Sequence, residues 1–238
     1  MQPRLLVADF CNHALPGMHD GPNFAAESAE TMRALREAGV CRAVFTPTYR
    51  PFFESVRRFC QRRQEAFRCL HPLLPRDMTV RLSAQVVLEP ECCASPEIAA
   101  LAIPGTSYLP VELPLAEYPD WMDFELHLLL HRRQLKPVFA KFERCLLLYP
   151  ESVSAKLMDI PGAAYQFSLS AAAEPAFSRA IRSLLRQEKT VLLGTGANLP
   201  AQKFPNLAEK LAAMRELLTP PLYIALLRNS YNFPCFSD

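Results

Sequence analysis

Seven short apolar runs, at residues 5–10, 43–47, 82–88, 108–114, 136–142, 163–170 and 190–195, are separated by segments of helical period. Runs of this length bounded by turn residues suit strands buried on both faces, and a helix between successive strands makes them parallel. The segment 24–40 carries Ala25, Met32, Leu35 and Ala38 on roughly one helical face, with Gly39 as a C-terminal stop. The segment 52–70 places Phe53, Val56, Phe59, Cys60 and Phe67 near one stripe and leaves Arg57, Arg58, Arg62 and Arg63 for a solvated basic face. Further helices are expected over 123–133, 174–187 and 206–218. Seven such units in 238 residues favour a closed barrel over an open sheet, so the fold class is α/β. No composition shift divides the chain, and 1–238 is expected to be one domain.

Composition narrows the function. A net charge of +2 is too mild to call for a polyanion, so nucleic acid is not an expected partner. The first apolar run is broken at Asp9 and no run approaches the length of a membrane span, so no membrane insertion is expected and the protein reads as cytoplasmic. The eight cysteines form no CxxC pair and read as reduced, mostly buried thiols. The 22 prolines fall mainly between elements, as in "HPLLPR" and "LTPPL", which suits tight connections.

In a barrel of this kind the chemistry collects where strands end. The stretch "ADFCNHALPGMHDGP", residues 8–22, sets Asp9, Cys11, His13, His19 and Asp20 within a dozen positions after the first run, the density of a metal site. Thr48 and Arg50 follow the second run, Gln85 sits in the third and Glu112 in the fourth. Lys141, Glu143 and Arg144 lie at the fifth, and Thr195 and Asn198 at the seventh. These polar groups are expected to converge on one rim.

These stretches resemble the polymerase-and-histidinol-phosphatase (PHP) proteins, and among them the manganese-dependent tyrosine phosphatases of bacterial capsule and exopolysaccharide loci. The family opening, D-x-H-x-H followed by D-D-G-P and a helix, is similar in spacing to "DFCNHALPGMHDGP". "FTPTYR" resembles the family's T-P-H-Y, "YLPVELP" its Y-x-x-x-E-x-P and "VFAKFERC" its A-H-x-E-R. "AYQFS" is similar to Y-Q-x-N, and "LGTGANLPAQKFPNL" to S-D-x-H-N followed by R-P-P. The landmarks keep their order from about residue 5 to 207 and imply a PHP-type distorted (β/α)7 barrel.

The resemblance also implies a three-metal site, whose ligand positions fall here on Cys11, His13, Asp20, Thr48, Gln85, Glu112, Lys141, Thr195 and Ala197. Only His13, Asp20 and Glu112 keep the family's residue type. Thr, Gln and Ala are poor or impossible manganese ligands, and Lys141 sets an ammonium where a cation belongs. That ammonium would stand in for the missing cations beside Asp20 and Glu112, in which case Lys141→Ala lowers thermal stability. Phosphate ester hydrolysis in this family needs the metals, so a loss of catalysis is implied. The family's phosphate-contacting arginines fall on Arg144 and Lys203, and Lys141 and Arg50 add two cations near the same rim. The implied function is a pseudophosphatase that binds phosphotyrosine, with the tyrosine-phosphorylated tail of a bacterial kinase as partner and no cofactor.

Two alternatives stand beside it: a phosphatase with a reduced complement of manganese or zinc, and a non-enzymatic partner in a polysaccharide assembly complex. A rebuilt zinc-type site would draw on Cys11, His13, His19 and Asp20. Other enzyme classes fare worse. The C-x5-R loop of cysteine-dependent phosphatases is missed by one residue between Cys69 and Arg76. His127 and His131 in "HLLLH" lack the glutamate of a zinc-protease helix. Cys11 reads as a small filler, and the adjacent Cys92 and Cys93 as a loop pair without a role.

Overall fold

The computed structural model describes residues 7–198 and 207–236. Among them the first half of the chain runs β1 (Val7–Asn12), α1 (Ala25–Glu37), β2 (Val40–Phe45), β3 (Thr48–Tyr49), α2 (Val56–Leu70), β4 (Thr79–Leu82), β5 (Gln85–Val87) and β6 (Tyr108–Glu112). It continues through α3 (Met122–His127), β7 (Lys136–Phe139), α4 (Glu143–Leu148), α5 (Glu151–Asp159) and β8 (Ala164–Ser168). The last described elements are α6 (Leu169–Ala172), α7 (Pro175–Arg186), β9 (Thr190–Gly194), α8 (Leu207–Leu217) and α9 (Pro220–Tyr231).

Every pairing among the described residues is parallel, in two sheets ordered β1-β2-β4 and β3-β5-β6-β7-β8-β9. β2 runs on into β3 and β4 into β5, each across a two-residue break, so the expected third strand at 82–88 is two strands in different sheets. The breaks have a local cause. Ser83 turns inward, its N–H donating to the Phe45 carbonyl and its hydroxyl to that of Leu101, while Gln85 N–H donates to the Pro47 carbonyl. Counting each broken pair once gives the seven strand positions expected of the barrel.

Between β9 and β1 the pairing shrinks to one bridge, Asn12 to Ala197, reinforced by His13 N–H to Ala197 O and Gly196 N–H to Cys11 O, both 2.8 Å. Asp9 completes this seam. Its buried carboxylate accepts Thr195 N–H at 2.8 Å, Thr195 Oγ1 at 2.5 Å, Asn12 Nδ2 at 3.0 Å and Cys11 N–H at 3.1 Å. Burial raises its pKa against the pull of those donors. Gly194 lets the walls meet: a Cβ there would lie 2.4 Å from the Cys11 Cβ and 2.5 Å from Gln166 Nε2.

The helices cover the outside. α1 buries Ala29, Met32 and Leu35, and α7 buries Phe177, Ile181, Leu184 and Leu185. α2 departs from the expected pattern. Arg63 faces inward, donating to Ser83 O at 2.8 Å, in the β4–β5 break, and to Ala100 O at 3.3 Å, in the 3-10 turn over Pro96–Leu101, because its long stem reaches both carbonyls. Phe53 precedes the helix and is exposed. The segment expected as one helix over 123–133 is α3 followed by a single π-turn at Leu128–Arg132, and the rings of His127, at the end of α3, and His131, in the turn, lie 4.5 Å apart. α4, α5, α6 and α9 lie outside the expected helices, α6 taking up the end of the run expected as strand at 163–170; "LTPPL" opens α9 with Pro220 in its first turn, where a missing N–H costs nothing. No described helix is long and apolar enough to cross a membrane.

Candidate functional site

β1 delivers Cys11 and His13 to the rim, and the turn at Gly17 and Gly21 brings Asp20 back against them. Gly21 sits so close to the Leu15 and His13 carbonyls that a Cβ would fall 2.0 Å and 2.8 Å from their oxygens. The product is a buried chain of contacts. Cys11 Sγ lies 3.3 Å from His13 Nε2 and 3.6 Å from Gln85 Oε1, and His13 Nδ1 lies 2.5 Å from Asp20 Oδ2. Thr48 donates to the same Asp20 oxygen through its hydroxyl at 2.6 Å and to both oxygens through its N–H at 3.3 Å.

The electrostatics follow the contacts. Burial pushes His13 down, but the Cys11 sulfur and the Asp20 carboxylate outweigh it and hold the imidazole up at about 10. Burial pushes Asp20 up, and His13 with the Thr48 donors brings it down to about 2. An imidazolium therefore sits inside the rim beside a carboxylate.

A second polar knot lies across the opening. Glu112 at the end of β6 accepts Gln85 Nε2 at 2.5 Å on one oxygen and Arg144 Nη1 at 2.9 Å on the other. Gln85 thus links the two knots. Glu143 spans to β8, accepting Ser168 N–H on both oxygens at 3.3 Å. Lys141 adopts a left-handed backbone, φ 52°, with its N–H on Gln166 Oε1 at 2.8 Å. Among the described residues no ion pair within 4.0 Å involves Lys141, so the cation that answers Glu112 is Arg144.

The candidate residues therefore fall into separate groups. Cys11, His13 and Asp20 share the first knot, while His19 is exposed and lines a cleft with Thr48, Arg50, Phe53, Glu54, Arg58 and Arg62. Lys141 and Arg144 share the second knot with Glu112. Arg50 belongs to the cleft, 4.0 Å from Glu89. Lys203 lies outside the described residues. The cleft, about 510 Å³, is the feature missed in the sequence; the signal for it is "YRPFFESVRR", where Arg50 and Arg58 flank two aromatics that bury nothing.

A multi-manganese centre does not fit this donor set. Thr48 and His13 both occupy Asp20 Oδ2, and Arg144 brings a fixed positive charge onto Glu112. His13 turns its two nitrogens to different partners, Cys11 and Asp20, so those three residues do not surround one point.

The strands and this rim define a parallel (β/α) barrel with an internally paired polar centre. The chain is similar, with a TM-score of 0.69 and 18% identity over 94% of its length and 95% of the other, to the structure described for YwqE from Bacillus subtilis and CpsB from Streptococcus pneumoniae, metal-dependent tyrosine phosphatases. It is similar to histidinol phosphate phosphatase from Lactococcus lactis, solved with zinc, L-histidinol and phosphate: TM-score 0.54, 10% identity, 89% of this chain and 93% of that one. An enamidase of the amidohydrolase superfamily matches with TM-score 0.55 and 12% identity, over 95% of this chain and 66% of that one. At these identities the likeness shows the fold. No protein-family model and no curated protein matches the sequence.

Proposed function

We propose that this chain is a pseudophosphatase: a phosphatase-fold protein that binds a phosphotyrosyl segment without hydrolysing it. One observation carries the reading. Each carboxylate that survives from the metal-binding pattern is already satisfied from within, Asp20 by His13 and Thr48 and Glu112 by Gln85 and Arg144. Hydrolysis by the metal route needs a cation to acidify a water and to hold the phosphoryl oxygens, and these oxygens are not free to hold one.

Recognition has separate support. The cleft beside Thr48 carries Arg50 and Arg58 next to Phe53, which is 80% exposed, so it offers cations for a dianion and an aromatic face for a ring. The tyrosine-phosphorylated tail of a bacterial kinase has that chemistry. Glu54 answers Arg62 at 2.5 Å, whereas no ion pair within 4.0 Å among the described residues involves Arg58. Lys141 beside Arg144 is a second cationic point on the same rim.

The test is phosphate release from a phosphotyrosyl peptide, with and without manganese, alongside binding of the same peptide by fluorescence anisotropy. Binding without release is the expected result. Manganese-dependent release would mean a residual phosphatase, and neither release nor binding would leave a structural role.

A further inference from the structure

We propose that Cys92, Cys93 and Glu125 form a site for a thiophilic divalent cation of the zinc class, separate from the two polar knots of the rim. Among the described residues this is the one group of three His, Cys, Asp or Glu side chains whose ligand atoms all lie within 4.8 Å of one another, and all three are buried. The two cysteines follow β5 and the glutamate belongs to α3, so the site joins two segments that the chain separates by more than thirty residues.

The distances are those a ligand cage requires. Zinc bonds of ~2.3 Å to sulfur and ~2.1 Å to oxygen in a tetrahedron put two sulfurs about 3.8 Å apart and a sulfur and an oxygen about 3.6 Å apart. Cys92 Sγ lies 3.6 Å from Cys93 Sγ and 3.7 Å from Glu125 Oε2. These edges are close to those of an occupied site.

The surroundings hold that geometry. Glu125 Oε1 accepts Glu91 N–H at 2.7 Å and Oε2 accepts Cys93 N–H at 2.9 Å, which fixes the carboxylate and leaves a lone pair on Oε2 facing the thiols. Arg133 clamps the far side of the turn, donating through Nε to Cys93 O at 2.9 Å and through a second nitrogen to Ala94 O. Two sulfurs and a carboxylate suit a borderline-soft cation and select against magnesium or calcium.

The experiment uses the full, reduced chain titrated with Co(II) as a spectroscopic stand-in and with Zn(II) alone. Expected are a thiolate-to-cobalt charge-transfer band that saturates at one equivalent, its displacement by zinc, and a rise in melting temperature with zinc. Cys93→Ser and Glu125→Gln should each weaken zinc binding at least ~100-fold, as loss of a ligand requires, while Cys11→Ser leaves the band unchanged. The Gln variant keeps an acceptor for the turn, so it reports on ligation even where the serine variant folds poorly. Absence of the band in the wild-type chain would overturn the proposal, as would its persistence in both the Cys93 and Glu125 variants.

Discussion

His13 Nδ1 lies 2.5 Å from Asp20 Oδ2 inside the rim, joining a residue delivered by β1 to one returned by the turn after it. The Cys11 sulfur on the other imidazole nitrogen and this pair together make stability depend on pH in two opposite windows. His13 holds its proton more tightly in the fold than its ordinary 6.5, so its contribution is complete below pH 6.5 and is lost as pH rises to about 10. Asp20 is held below its ordinary 3.8, so its contribution is complete above that value and is lost as pH falls to about 2. Melting temperature against pH should show both limbs. In Asp20→Ala the alkaline limb should weaken at an overall cost of about 3 kcal/mol, because the imidazolium is left buried without its carboxylate. An alkaline limb of wild-type size in that variant would show that the pair is not its source.

Much of the fold was legible and much of the site was not, for one physical reason. Strand runs and helix periods are set by residues within a few positions of one another, so β1, α1, β6 to β9 and α7 lie close to where the period puts them. The β4–β5 break was hidden because it depends on Ser83 reaching Phe45 O and Leu101 O, contacts made only in the fold. Arg63 misled for the same reason: in sequence it belongs to a charged face, and only the carbonyls of Ser83 and Ala100 explain its burial. At the rim, residue types told which ligands had gone. That Thr48 and Gln85 act as donors to the carboxylates that remain needed coordinates.

Gly194 is expected to tolerate no side chain. A Cβ at 2.4 Å from the Cys11 Cβ and 3.0 Å from the Cys11 backbone nitrogen meets atoms that cannot swing away, because β1 is held there by the Asp9 seam. Gly194→Ala should cost about 2–3 kcal/mol, measurable by urea unfolding. A cost under ~0.5 kcal/mol would mean that β9 and β1 part more easily than the seam implies.

Lys141 separates charge from conformation. Its φ of 52° is the left-handed region, which costs a residue with a Cβ about 1 kcal/mol relative to glycine. With Arg144 already on Glu112, loss of the ammonium should matter less than relief of the backbone. Lys141→Gly is therefore expected to be more stable than Lys141→Ala by ~1 kcal/mol and to melt no lower than the wild type. Equal, lowered melting temperatures in both variants would instead assign Lys141 the compensating charge.

The cleft arginines should separate by what already holds them. Arg62 is paired with Glu54 at 2.5 Å and also reaches Gly17 O at 3.4 Å, so its charge is largely spent within the chain. Arg58 lies on the same helix, one turn earlier, and is exposed. A phosphotyrosyl peptide entering beside Phe53 would draw its charge-assisted contacts from Arg58 and Arg50. Arg58→Glu is expected to weaken phosphopeptide binding at least tenfold, and binding to the wild type should fall steeply with added salt. Arg62→Ala should change affinity by less than threefold and stability by under ~1 kcal/mol, the range of a half-exposed pair. Phe53→Ala should weaken the phosphotyrosyl peptide more than a phosphoseryl one of the same sequence, since only the former offers a ring to stack. If Arg144→Ala abolished binding while Arg58→Glu and Phe53→Ala left it intact, the ligand would sit on Arg144 at the Glu112 knot and the cleft would be an ordinary solvated groove.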